Sequence, residues 1–104
     1  MNLEIITPES CLFKGEAKTV TVPSTQGPFT MLEHHAPIVA ILEAGKVVLT
    51  DLNDQVLEFT IAGGFCEQHD GTVIICGENG KRNPEGLTDR KGGKTENGER
   101  KIEN

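Results

Sequence analysis

Up to Cys76, hydrophobic and polar positions alternate in short runs, with the period of half-buried β-strands rather than of a helix. Leu3-Glu4-Ile5-Ile6 reads as a first strand ended by Thr7-Pro8, and Cys11-Leu12-Phe13-Lys14-Gly15 as a second short piece closed by a glycine turn. From Lys18 to Val22 the alternation places Val20 and Val22 on one face and Thr19 and Thr21 on the other, until Pro23 ends the run. A Ser/Thr/Gly/Pro loop then leads to a short apolar stretch, Phe29 to Leu32. The run Ala36 to Leu42 fits a buried strand or a helix by periodicity alone. Pro37 near its start and Gly45 past its end suit a helix, whereas the β-branched Ile38, Val39 and Ile41 and the limited length favour a strand, which is the expectation adopted.

Gly45 to Thr50 forms another strand, Asp51 to Gln55 a polar turn, and Val56 to Ala62 a return strand with Leu57, Phe59 and Ile61 on one face and Glu58 and Thr60 on the other. Gly63-Gly64 permits a bulge or sharp bend. Phe65 to Gln68 and Val73 to Cys76 make a final hairpin, with Asp70-Gly71 at its tip suited to a type I′ turn. Short strands at close spacing, punctuated by Gly and Pro and with no clear helix, predict an all-β sandwich or barrel.

After Cys76 the character changes. Residues 78–104 hold five glycines, thirteen charged residues and only Leu87 and Ile102 as sizeable apolar groups. Such a segment buries too little surface to offset its ordering entropy, so residues 79–104 are expected to form a disordered polar, charged tail behind a domain spanning 1–78. A body this small has a modest core, and a permanent partner would help stabilise it.

Charge narrows the choice of partner. Residues 1–77 carry three basic groups (Lys14, Lys18, Lys46) against ten acidic ones, and the whole chain has a formal net charge of -6. An acidic body without a basic stripe argues against nucleic acid and against an anionic membrane surface. No apolar run approaches the length of a membrane span, and Met1-Asn2-Leu3-Glu4 lacks the basic start and apolar core of a signal peptide. Three cysteines, an odd number on a chain without a leader, read as reduced cytosolic thiols. With no Trp or Tyr and four Phe, aromatic platforms for stacking bases or sugars are scarce.

Reactive constellations fail on geometry. His34 and His35 are adjacent on extended chain and point apart, and zinc-type cysteine spacing is missing. With Asp70-Gly71 at the hairpin tip, Cys66 falls opposite Ile75, which puts Cys66 and Cys76 on opposite faces and excludes a disulfide or joint chelation in that register. Cys66 and His69, three apart on one strand, also face opposite ways, so they make no nucleophile–base pair. Gly63-Gly64 is not followed by a helix and makes no phosphate cradle. What remains is the loop from Ser24 onward, read as a contact surface between two anchored apolar segments.

The order of motifs carries a resemblance. The succession LEIITPESCLFKGEAKTVTVPSTQGPFTMLEHHAPIVAILEAGKV, followed by FTIAGGFCE and TVIICGE, resembles the epsilon subunit of the F-type ATP synthase over residues 3 to about 78. Its most specific elements are Thr7-Pro8-Glu9 with Leu12-Phe13 and Gly15, the Val22-Pro23…Gly27 loop, His35-Ala36-Pro37, and Gly63-Gly64-Phe65 with Glu67. The resemblance implies a two-sheet β-sandwich in the central stalk. It also implies a non-catalytic role: clamping the gamma subunit to the proton-carrying c-ring so that rotation is transmitted as torque. Ser24, Gln26, Gly27, Pro28, Phe29, Thr30 and Met31 match the ring-facing part of the family domain, and His35, Ala36, Pro37, Ile38 and Leu42 the gamma-facing part.

The implied location is the cytoplasmic side of a bacterial inner membrane, peripheral to it, without cofactor, metal, nucleic acid or direct membrane insertion. Pro28 stands where the family often has an acidic residue, and Thr30 and His34 where it often has glycines. Residues 78–104 have neither the composition nor the period of the family's C-terminal helical hairpin, so hairpin-based inhibition and nucleotide binding by this chain are not expected. A free-standing β-sandwich module for a small ligand or peptide is the alternative.

Overall fold

The computed structural model describes residues 1–84, and among them it contains seven strands and no helix. They are β1 (Asn2–Ile6), β2 (Cys11–Val22), β3 (Phe29–Leu32), β4 (Ile38–Asp51), β5 (Val56–His69), β6 (Thr72–Gly77) and β7 (Lys81–Arg82). The all-β expectation stands, but several short pieces fuse. The two segments expected around Phe13 and Val20 are one 12-residue strand, and those around Ile41 and Val48 one of 14 residues. The run beginning at Ala36 is strand from Ile38 onward, not helix.

Two separate sheets are not what the pairing gives. β1 pairs β2 antiparallel and β6 parallel, and the antiparallel pairs β2–β4, β4–β5 and β5–β6 complete a closed ring. β3 joins β2 and β7 joins β5 outside that ring. β1, by bonding on both sides, closes the sheet into a barrel and removes two open edges. The core inside includes Leu3, Ile5, Val20, Val22, Met31, Val47, Leu49, Phe59, Val73 and Ile75, all 0% exposed. Phe13 meets Phe59 edge-on, with ring centroids 6.3 Å apart.

The β4–β5 hairpin carries the decisive irregularity. Its register is continuous from Ile38↔Gln68 to Thr50↔Val56, yet the buried positions change phase part-way. Leu57, Phe59 and Ile61 point inward, but beyond the glycines Cys66 and Gln68 do. On β4 the same slip separates Val47 and Leu49 from Leu42. Gly63 and Gly64 have φ of 144° and 143°, a region closed to ordinary side chains, and there the alternation slips by one residue; the pairing skips Ala44 and Ala62 but resumes in the same register. The expected bend is therefore present, as a change of face. Asp70 and Gly71 both have positive φ, as a type I′ turn requires.

The expected boundary at residue 78 is corrected. Asn83 N–H donates to the Glu58 carbonyl at 2.9 Å, its Nδ2 lies 3.3 Å from Glu58 Oε1, and Thr60 Oγ1 donates to Asn83 Oδ1 at 3.0 Å. Glu58, expected on the solvent face, is only 6% exposed because this segment covers it, and Lys46 Nζ sits 3.5 Å from its carboxylate. Backbone pairing and these polar contacts hold residues 79–83 on the domain despite their polar composition. The rest of the expected tail, 85–104, lies outside the described residues.

Two outcomes follow from these contacts. A Cβ at position 64 would lie 1.9 Å from the Cys76 carbonyl oxygen, so Gly64→Ala is expected to lower unfolding stability by about 3 kcal/mol or more in urea titration. A chain ending at Pro84 is expected to be more stable than one ending at Glu78 by about 1–3 kcal/mol in the same measurement, because the shorter chain leaves Glu58 without Asn83.

Candidate surface at the β2–β3 and β3–β4 loops

The loop after β2 is fixed from below. Pro23 has no N–H to extend the ladder, and its carbonyl accepts from Glu43 N–H at 2.9 Å, while Thr25 N–H donates to the Ile41 carbonyl at 2.9 Å. Ser24 bridges Leu42 and is buried; its Oγ accepts from Gln26 N–H at 3.1 Å and its carbonyl from Gly27 N–H at 3.0 Å. Two turns of hydrogen bonding around one serine thus shape the tip, and Gly27 supplies a φ of 111°. Gln26, Gly27 and Pro28 project into solvent, and Phe29 is half-buried as β3 begins. Thr21 and Thr30 face each other across β2–β3 with their hydroxyls 2.7 Å apart.

The turn after β3 is equally defined. His35 N–H donates to the Leu32 carbonyl at 3.2 Å, and His34 takes a φ of 68°. Glycine adopts that conformation more readily than histidine. His35 Nδ1 donates to the Ala36 carbonyl at 2.7 Å, and the imidazole lies against Phe29 with ring centroids 6.3 Å apart. The two groups of site residues expected from the sequence therefore meet, through Phe29 and His35, in one continuous surface. Beside it a cleft of about 480 Å³ separates the loop from Ile38–Ile41.

Burial divides the expected contact residues. Gln26, Gly27, Pro28, Thr30, Ala36 and Pro37 are exposed, and Phe29, His35 and Ile38 are half-buried. Ser24, Met31 and Leu42 are buried, at 6%, 0% and 3% exposure. Met31 faces inward opposite Val20, and Leu42 lies under the loop, so these three support the surface and do not form it. From Ser24 to Leu32 no residue is charged, so the tip offers shape and neutral polar groups.

Reactive chemistry is not gathered here. Cys66 is fully buried, burial raising the pKa of its thiol, and it lies opposite Ile75 as expected. Burial, and secondarily Glu67, raises that of Cys76. Both therefore stay protonated at neutral pH and are poor nucleophiles. Among the described residues no group of three or more His, Cys, Asp or Glu is placed to hold a metal ion. Sequence reasoning missed two features. One is the Glu58–Asn83 contact, visible only once the chain after Gly77 folds back. The other is a row of apolar side chains on the outer face of the sheet, created by the change of phase at the glycines.

Comparison with known proteins gives this surface a context. The family described as ATP synthase, Delta/Epsilon chain, beta-sandwich domain matches residues 1–83. The ATP synthase epsilon chain of Chlorobaculum tepidum is 40% identical over 76 residues, covering 73% of this chain and 86% of its own. That of Leptospira borgpetersenii is 36% identical over 80 residues, covering 77% of this chain; the match spans 62% of that relative's length. Among solved structures, a chain of the Euglena gracilis mitochondrial ATP synthase (OSCP/F1/c-ring in rotational state 1) superposes with a TM-score of 0.72 at 22% identity, covering 77% of this chain and 51% of that one. A chain of the Tetrahymena thermophila mitochondrial ATP synthase central stalk/c-ring gives 0.67 at 13% identity, covering 88% and 80%. At those identities the structural likeness speaks for the fold. Matched from its first residue through β7, the chain belongs to the ATP synthase delta/epsilon chain β-sandwich domain family.

Proposed function

We propose that this chain is a non-catalytic central-stalk subunit of a proton-translocating F-type ATP synthase, docking on the gamma subunit and the c-ring. In this reading Gln26, Gly27, Pro28, Phe29 and Thr30 face the ring, and His35, Ala36, Pro37 and Ile38 face gamma. The complex is reached from the cytoplasmic side of a bacterial inner membrane, and the chain sits peripheral to it.

The observation that carries the reading is the fixed, uncharged loop surface on a domain of this family. A coupling element must transmit force without yielding. The loop's backbone is tied to β4 at Pro23, Ser24 and Thr25, so its tip is held rigid relative to the core. Stable docking needs shape-matched area of about 800 Å² per partner, not reactive side chains. The Phe29–His35 contact places the ring-facing tip beside the gamma-facing segment, so both partners would meet one continuous surface. The lack of local charge makes shape and desolvation the basis of fit, with no ion pair from Ser24–Leu32.

Ala36 is exposed and free of core contacts, so Ala36→Arg is expected to leave the domain folded while reducing its recovery with gamma about tenfold in co-purification from cells carrying the complete synthase. ATP-driven proton pumping in inverted membrane vesicles should fall in parallel. Undiminished recovery and pumping with the variant would remove the loop surface from the account and favour the free-standing binding module.

A further inference from the structure

The geometry points to a second docking face, which adjoins the loop cleft at Val39 and Ile41 and extends away from it: the outer side of β4, β5, β6 and β1, built to receive a basic amphipathic helix from another chain. Cross-strand pairing aligns Ile41, Phe65, Cys76 and Ile6 in one row across these four strands. Val39 and Ile74 extend it in the next row. Val39, Ile41 and Phe65 are 68%, 61% and 43% exposed, three of the six exposed large hydrophobics among the described residues. Next to the row, Ile6, Thr7, Pro8, Gly64, Phe65 and Cys76 line an apolar groove of about 300 Å³. Single exposed hydrophobics are ordinary; an aligned row with a groove marks an interaction face.

Charge specifies what lies on it. On one side the row is flanked by Glu43 and Glu78, which border Gly63 on its two edges. On the other side stand Glu67 and Glu4, from the row Val39, Glu67, Ile74, Glu4. Lys14, opposite Glu4, is the one basic residue reached by either flanking row. The carboxylate rows are four residues apart along a strand, or about 13 Å. That separation matches the width of an α-helix, about 10–12 Å with its side chains, so Lys or Arg on both borders of an apolar stripe would reach both rows. An extended strand is too narrow to meet both. Four strands span about 14 Å, enough for about ten helical residues.

Other occupants fit less well. A second copy of the chain would bring the same four carboxylates against these, in a molecule of net charge -6. The chain's own residues 85–104 contain only Leu87 and Ile102 as large apolar groups and supply no apolar stripe. The proposal does not depend on the loop surface, and its test requires no synthase subunit.

The test titrates the full-length, isotope-labelled chain with a synthetic amphipathic helix of leucine and lysine, and separately with its leucine–glutamate counterpart, following backbone amide shifts. The lysine peptide is expected to shift Ile41, Phe65 and Cys76, and the glutamate peptide to leave them unmoved. Phe65→Glu should weaken the lysine peptide about tenfold, although it adds a negative charge. Ile41→Ser, on the neighbouring strand, should do the same and serves if Phe65→Glu perturbs folding. Equal binding of both peptides, shifts confined to other faces, no binding of the lysine peptide at about 1 mM, or unchanged or tighter binding to the variants would each overturn the proposal.

Discussion

The structure depends on one constraint: β4 and β5 must stay paired along their full length while changing which side chains face inward. The constant register from Ile38↔Gln68 to Thr50↔Val56, interrupted only at Ala44 and Ala62, supplies the longest ladder in the domain. Continued without interruption, the alternation Leu57, Phe59, Ile61 would send Phe65 into the core. The positive φ at Gly63 and Gly64 moves the phase by one residue, so Cys66 enters the core and Phe65 turns out. One half of the hairpin then pairs with β2 and the other with β6, and β1 joins those two to close the ring. Both surfaces of interest inherit this geometry. The loop after Val22 is anchored on the β4 segment that has changed face, and the slip turns Ile41 and Phe65 outward beside Cys76 and Ile6, which face outward on the regular strands β6 and β1.

The specified geometry of the described residues lies in the loops, not in gathered reactive groups. The pKa values of the domain's Cys66 and Cys76 thiols are raised by burial, and its imidazoles are not gathered with other metal ligands among the described residues. Its loops, by contrast, are heavily specified: Ser24 bonds to two following residues, Pro23 and Thr25 are tied to β4, and His35 is capped on Ala36 and rests on Phe29. Ordering a loop in advance lowers the entropy lost on docking. The polar contact between Glu58, Lys46 and Asn83 on the outer face serves a related end by fastening the chain after β6 to β5.

Much of this was legible in the sequence, and the failures have physical causes. Period-two alternation identified the strands because each has one dry and one wet face, as Val20 and Val22 against Thr19 and Thr21 show. It could not tell that pieces separated by Gly15 or Gly45 remain one strand, since glycine weakens a strand without ending it. The positive φ at Asp70-Gly71 was readable because turn chemistry is local. Burial of Ser24, Met31 and Leu42 was not read, because a resemblance assigns a region while burial is decided residue by residue. Alternation within Phe29-Thr30-Met31 did place Met31 on the face opposite Thr30. Composition pointed to disorder beyond residue 78, yet Asn83 is held by backbone and side-chain bonds that average polarity cannot register. Ring closure by β1 depends on a pairing distant in sequence, to which no local pattern speaks.

The central claim is that the loop surface is the part of this domain that other stalk components cover. It is tested most directly by amide hydrogen exchange, comparing the isolated chain with the same chain inside the assembled synthase. The account predicts that protection increases at Gln26, Gly27, Phe29 and Thr30 and at His35, Ala36 and Ile38, with the amides of the Asp51–Gln55 turn unchanged. Unaltered exchange throughout those two segments in a complex shown to contain the chain would contradict it.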